Sequence, residues 1–119
     1  MKRLLDTNAI LYLLGERLAR PLDPGDYYAS VISEIELLSY PLLDSAEENR
    51  IRSFLATITL VELTREIREI TIQIRRRNEM KTPDAIIAAS AMFLDAELLS
   101  NDHHFQDVPG LKCRSLELK

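Results

Sequence analysis

A chain of 119 residues, 46% hydrophobic and 29% charged, is one domain by length, and a domain of that size buries roughly two-thirds of its unfolded surface. The single cysteine, Cys113, excludes an internal disulfide and a thiolate metal site, and favours a reducing cytoplasm. Fifteen Lys and Arg against nineteen Asp and Glu give net −4, which excludes holding nucleic acid by bulk charge but not a site whose acids bind metal.

Arg3 to Leu5 reads as a strand, Asp6-Thr7-Asn8 as a polar turn with ordinary N-cap residues, and Ala9 to Leu14 as an apolar helix. Asp6 therefore falls at a strand's carboxyl end, the edge where open parallel sheets bind ligands. Lys2 and Arg3 mimic the start of a signal peptide, but Asp6 and Asn8 interrupt the apolar run, and nothing later approaches the length of a membrane span. Arg20 to Asp26 holds two prolines and a glycine and reads as a connector. Tyr27 to Ile32 is predicted as strand two, followed by a short helix from Ser33 to Leu38 that ends before Pro41.

Asp44 or Ser45 caps a helix running to about Leu55, with Ile51, Phe54 and Leu55 on one face. Ala56 to Val61 is β-branched enough for strand three. A helix over Glu62 to Glu79 carries the apolar stripe Leu63, Ile67, Ile70 and Ile74. Its basic residues Arg65, Arg68, Arg75, Arg76 and Arg77 read on composition as a solvated helix face and not as a nucleic-acid patch. Thr82 is predicted as N-cap and Pro83 as the first residue of a nearly all-apolar helix that ends near Leu94 and is covered on more than one side. Glu97 to Ser100 is strand four, Asn101 to Gln106 a turn or short helix, and Lys112 to Leu116 strand five, with Cys113 a small buried apolar residue within it. Strands alternating with helices predict one α/β domain over 1–119, a central parallel sheet of about five strands flanked by helices.

Four acids, Asp6, Glu36, Asp84 and Asp102, sit just after a strand or near a helix start. Each has a structural alternative: Asp6 can cap its turn, Ser33 and Glu36 fit a capping box, Asp84 suits the helix dipole, and Asp102 suits a turn. Brought to one edge, four carboxylates repel unless a cation neutralises them, and oxygen-only ligands suit Mg2+ or Mn2+ rather than zinc. His103 and His104 have no spaced His partner and stand on a turn, so they are read as structural or peripheral.

These residues carry a resemblance. Leu4-Leu5-Asp6-Thr7-Asn8, Ser30 to Leu37, Pro83 to Ala91 and Leu99-Ser100-Asn101-Asp102 with Phe105, in that order, resemble a PIN domain, in particular the VapC-type toxin ribonucleases. The resemblance implies an endoribonuclease dependent on Mg2+ or Mn2+, commonly a homodimer, made beside a cognate antitoxin that blocks its active site. It implies Asp6, Glu36, Asp84 and Asp102 as metal-binding catalytic acids, with Thr7, Asn8 and Ser100 as polar residues supporting them and Arg65, Arg68, Arg75, Arg76 and Arg77 as candidates to position an RNA backbone. The chain departs from the family in Ser39-Tyr40, where Tyr-Gly often follows Glu-Leu, in a short connector and in its acidic charge. A haloacid-dehalogenase-like phosphatase is a rival of similar topology, but its motif wants a second Asp where this chain has Asn8. A non-catalytic PIN-like binding module is the other, although such domains usually lack some of the four acids.

Overall fold

The computed structural model describes residues 1–119, in the order β1 (Lys2–Leu5), α1 (Thr7–Leu14), β2 (Asp26–Ser30), α2 (Val31–Leu38), α3 (Ser45–Leu55), β3 (Thr59–Val61), α4 (Arg65–Arg77), α5 (Thr82–Leu94), β4 (Glu97–Leu99) and β5 (Cys113–Arg114). A 3-10 helix over His103–Asp107 lies between the last two strands. All strand pairs are parallel, in the order β3-β2-β1-β4-β5. The chain winds outward from β1 through β2 to β3, then crosses back to place β4 on the other side of β1. The topological switch point is therefore the crevice beyond the carboxyl ends of β1 and β4.

Period-two alternation sorts the strand residues between two cores. Leu4 and Leu98 face one side, with Ile67 and Ile74 of α4 and Ala85 to Ala89 of α5. Leu5, Ala29 and Leu99 face the other, with Ala9 and Ile10 of α1, Leu37 of α2, and Ile51 and Leu55 of α3. Each fully buried Leu or Ile contributes about 1.5–3 kcal/mol, so helices on both faces are what hold a five-stranded sheet this small. As predicted, α5 is enclosed on more than one side: every residue from Ala85 to Ala91 is buried, and its alanines let the helix approach the strands closely. No helix is long and apolar enough to cross a membrane.

Several boundaries differ from the sequence reading, each for a local reason. Helix α1 begins at Thr7, because Asp6 rather than Thr7 or Asn8 is the N-cap, its Oδ1 accepting from the Ala9 N–H at 2.7 Å. Val31 and Ile32 belong to α2 and not to the strand, because Ser30 caps that helix by accepting from the Ile32 N–H at 3.0 Å. The expected Ser33–Glu36 capping box is therefore absent, and the box that does form is Asp44–Glu47 at the start of α3. Residues 56–58 close α3 instead of opening β3, the Thr57 hydroxyl donating to the Phe54 carbonyl. Thr64 caps α4, so Leu63 lies outside the helix and is exposed, while Ile67 and Ile74 are buried. Lys81 is the residue before α5, which moves Pro83 and Asp84 one place further into the first turn. β4 stops at Leu99, β5 is two residues long, and Cys113 is half-buried.

Candidate active site at the switch point

Asp6 follows β1 and caps α1, and Asp102 follows β4 and caps the 3-10 helix, so the two strands of the switch point deliver one acid each. Glu36 comes from the second turn of α2 and Asp84 from the first turn of α5. All four line one pocket of about 200 Å3, whose walls include Thr7, Asn8, Tyr40, Ile87 and Phe105. The acids thus converge from four separated segments, which no single capping role requires.

Most of them are held. Besides the Ala9 N–H on Oδ1, Asp6 accepts the Ser100 hydroxyl on Oδ2, and it is only 5% exposed. Ser100 Oγ in turn accepts the Asp102 N–H at 3.0 Å, tying the two strand-end acids together. Thr7 donates its only hydroxyl proton to Glu36 Oε1 at 2.6 Å, so in the 2.9 Å contact with Ser33 the serine is the donor. The resulting relay, Ser33 to Thr7 to Glu36, anchors a carboxylate on an otherwise exposed side chain. Asp102 Oδ1 accepts the His104 N–H at 3.0 Å and faces His104 Nδ1 at 2.9 Å. Asp84 makes no side-chain hydrogen bond or ion pair and lines both this pocket and the cavity beside it.

Burial pushes the Asp6 carboxyl above the ordinary aspartate value, partly offset by the Ser100 and Ala9 hydrogen bonds, with the charges of Asp102 and Asp84 raising it further. Asp84 is raised too, first by burial, then by repulsion from Asp102 and Glu36, against a partial lowering by Lys81 and His104. Negative charge is therefore under-compensated at this spot. No three His, Cys, Asp or Glu side chains are gathered into a preformed cage. Mg2+ keeps several waters and is bound through one or two carboxylates plus substrate phosphates, so it does not require such a cage. The oxygen-only donors and surplus negative charge of the pocket fit such an ion; a closed zinc site would need three or four protein ligands.

A larger cavity of about 460 Å3 lies between the connector and the C-terminal segment, near Arg20, Asp23, Arg114 and Glu117. Its arginines are matched, Arg20 by Glu117 and Arg114 by Glu97 and Asp23, so it holds no uncompensated charge. The smaller pocket is the one that gathers the four acids.

Of the residues singled out in the sequence, Asp6, Thr7, Asn8, Glu36, Asp84 and Asp102 share the pocket, and Ser100 lies behind Asp6. Arg65 and Arg68 stand at the opposite end of α4 from Arg75, Arg76 and Arg77 and do not line it. Tyr40 and Ser33 were not singled out for the site. Tyr40 reaches the pocket from the loop after α2, for which no sequence signal existed, and Ser33 became legible only once α2 was seen to start at Val31.

Fold and pocket together define a parallel α/β domain with an acid-lined ligand crevice at the switch point of its sheet. The chain belongs to the PIN domain family, whose model matches residues 3–111. Its fold is that of VapBC2 from Rickettsia felis bound to a promoter DNA fragment, with TM-score 0.83 at 19% identity, covering 97% of this chain and 98% of that one. A toxin-antitoxin complex from Klebsiella pneumoniae matches with TM-score 0.77 at 26% identity, covering 92% and 94%. DNA-bound VapBC from Salmonella typhimurium matches with TM-score 0.80 at 20% identity, covering 97% and 98%. None of the curated proteins matches the chain by sequence.

Proposed function

We propose that the protein is a metal-dependent endoribonuclease and the toxin of a toxin-antitoxin pair. The observation that carries this reading is the convergence of Asp6, Glu36, Asp84 and Asp102 on one pocket where burial and mutual repulsion leave negative charge unsatisfied. Asp6 and Asp84 would hold Mg2+ or Mn2+ most directly, with Glu36 and Asp102 alongside. When bound, such an ion supplies water activation at neutral pH and charge neutralisation on the departing oxygen of a phosphodiester.

The chain's own residues keep the acids in place. Ser100 and the Ala9 N–H fix both oxygens of Asp6, Thr7 fixes Glu36, and Ile87 and Phe105 form the apolar part of the wall. Single-stranded RNA is the substrate class that suits the pocket, because unpaired bases can splay and let one phosphodiester enter. The antitoxin partner rests on likeness to the Klebsiella pneumoniae toxin-antitoxin complex, and a reducing cytoplasm rests on the lone cysteine.

Purified protein is expected to cleave RNA with Mg2+ or Mn2+ and to stop in excess EDTA. Undiminished cleavage in EDTA would overturn the metal mechanism, and metal-independent inertness would favour the binding-module reading. A homodimer is also expected, on the resemblance to a family whose members are commonly dimeric and because Ile35 and Leu42, both near the end of α2, are exposed apolar side chains that a second copy could cover. Light scattering at micromolar concentration checks it, and a monomer throughout would contradict it.

A further inference from the structure

The acid pocket is the first of three cavities linked by shared wall residues. A second cavity of about 270 Å3 shares Asp84 and Asp102 with it and is walled by Glu79, Met80, Lys81 and His104. A third, of about 360 Å3, shares Glu79 and Met80 with the second and is lined by Arg75, Arg76, Arg77 and Asn78. The three form a series from the acids, past the start of α5, to the end of α4.

Cations at a helix C-terminus interact favourably with its dipole, and that alone would account for arginines at this position. It does not account for three successive residues lining the same cavity, since neighbours on a helix point about 100° apart. They share it because α4 ends at Arg77 and the chain doubles back over its last turn. Asn78 Nδ2 donates to the Ile74 carbonyl at 3.1 Å and Arg75 Nε to the Met80 carbonyl at 3.2 Å, closing that bend. None of Arg75, Arg76, Arg77 and Lys81 is in an ion pair, so their charge is not spent on a neighbouring acid, and three of them line one cavity. In the third cavity three arginines stand against the one acid Glu79, while Lys81 lies in the second beside Glu79, Asp84 and Asp102, so positive charge is concentrated at the end away from the acids in a chain whose net charge is −4.

Building on the nuclease reading, we propose that this series of cavities is the track of a single RNA strand, its cleaved phosphodiester at the acids and its flanking backbone held by Lys81 and Arg75 to Arg77. Guanidinium forks match phosphate oxygens, and a strand repelled by carboxylates at one end needs cations at the other to remain bound. An acidic peptide would satisfy the arginines but brings no phosphodiester to the acids. A flexible strand can follow the bend at residues 78–81, and the exposed His104 ring and Tyr40 offer stacking faces for its bases.

The probe is a fluorescein-labelled oligouridine of about 12 nucleotides, within the usual footprint of single-strand binders, titrated by anisotropy in EDTA at several salt concentrations. Arg76→Ala combined with Arg77→Ala is expected to weaken binding and to flatten the log–log salt slope by about 1.4, at roughly 0.7 per lost phosphate contact. Arg20→Ala with Arg52→Ala removes the same charge away from the track and is expected to change neither. Under Mg2+ the first pair is expected to raise KM and leave kcat near its original value. Equal slopes for both pairs, no binding by the wild type, or equally tight binding of a duplex of the same length would each overturn the track. Cleavage with an arginine-independent slope sinks the track and leaves the nuclease standing. An arginine-dependent slope without cleavage in any metal does the reverse.

Discussion

Asp6→Asn is expected to lose RNA cleavage by more than about a hundred-fold while remaining folded. Replacing a residue that merely supports a metal ligand costs roughly 10–100-fold, and in the proposed mechanism Asp6 would hold the ion itself. The isosteric change separates the two roles of this side chain. As N-cap, Asn is as good as Asp, and its amide oxygen can still accept from the Ala9 N–H. Ser100 Oγ accepts only the Asp102 N–H and has a lone pair left for the new amide donor, so the buried contact is inverted rather than lost. Charge is what disappears, and with it the attraction for a divalent cation. The check is initial cleavage rate under Mg2+ alongside a melting curve. A variant that retains most of its activity would remove Asp6 from the metal site, and one that fails to fold would mean its capping role dominates.

How much of this was legible in the sequence can be traced residue by residue. Asp6, Asp84 and Asp102 were legible as residues at a strand's end or in a helix's first turn, though one position off at Asp6 and Asp84, because handovers and Pro-led helix starts are set by local chemistry. Glu36 was identified, but with the wrong local partner. Val31 and Ile32 look like strand residues by β-branching, yet Ser30 captures the Ile32 N–H and the parallel pairing with β3 ends at Val61, so tertiary context overrides propensity. Only with that boundary corrected does Ser33 turn inward, toward Thr7 on another helix. The arginine run was visible as composition, but its direction was not. That depends on where α4 stops and how residues 78–81 bend before α5, which no periodicity encodes.

Acidifying the metal-free protein from neutrality is expected to relieve strain at the acid pocket, and Asp84→Asn is expected to remove the Asp84 share of that response while leaving that of Asp6, which burial raises first. Asp6 and Asp84 both hold their proton more tightly folded than unfolded, chiefly because burial disfavours their charge. Between the ordinary value of 3.8 and the raised folded value, the native state binds more protons than the unfolded one. Their contribution therefore destabilises as pH rises through that window, is complete above it, and vanishes below 3.8. Asp95, held low by its hydrogen bond to Lys112, acts in the opposite sense, so the informative quantity is the wild-type curve minus the Asp84→Asn curve. If Asp84 served only the dipole of α5, neutralising it would cost roughly 0.3–1 kcal/mol. In a repelling cluster, the variant instead melts at or above the wild type in EDTA. Glu36→Gln, whose amide oxygen can still accept from Thr7, should behave likewise. Mg2+ at a hundred times its Kd would stabilise the wild type by about 2.7 kcal/mol, or roughly 10 °C for a domain of this size, and the gain should shrink in both variants. Melting curves of the three proteins across pH, with and without Mg2+, decide it. A wild type indifferent to Mg2+ into the millimolar range, with Asp84→Asn less stable than it in EDTA, would make these acids helix caps and not a metal site.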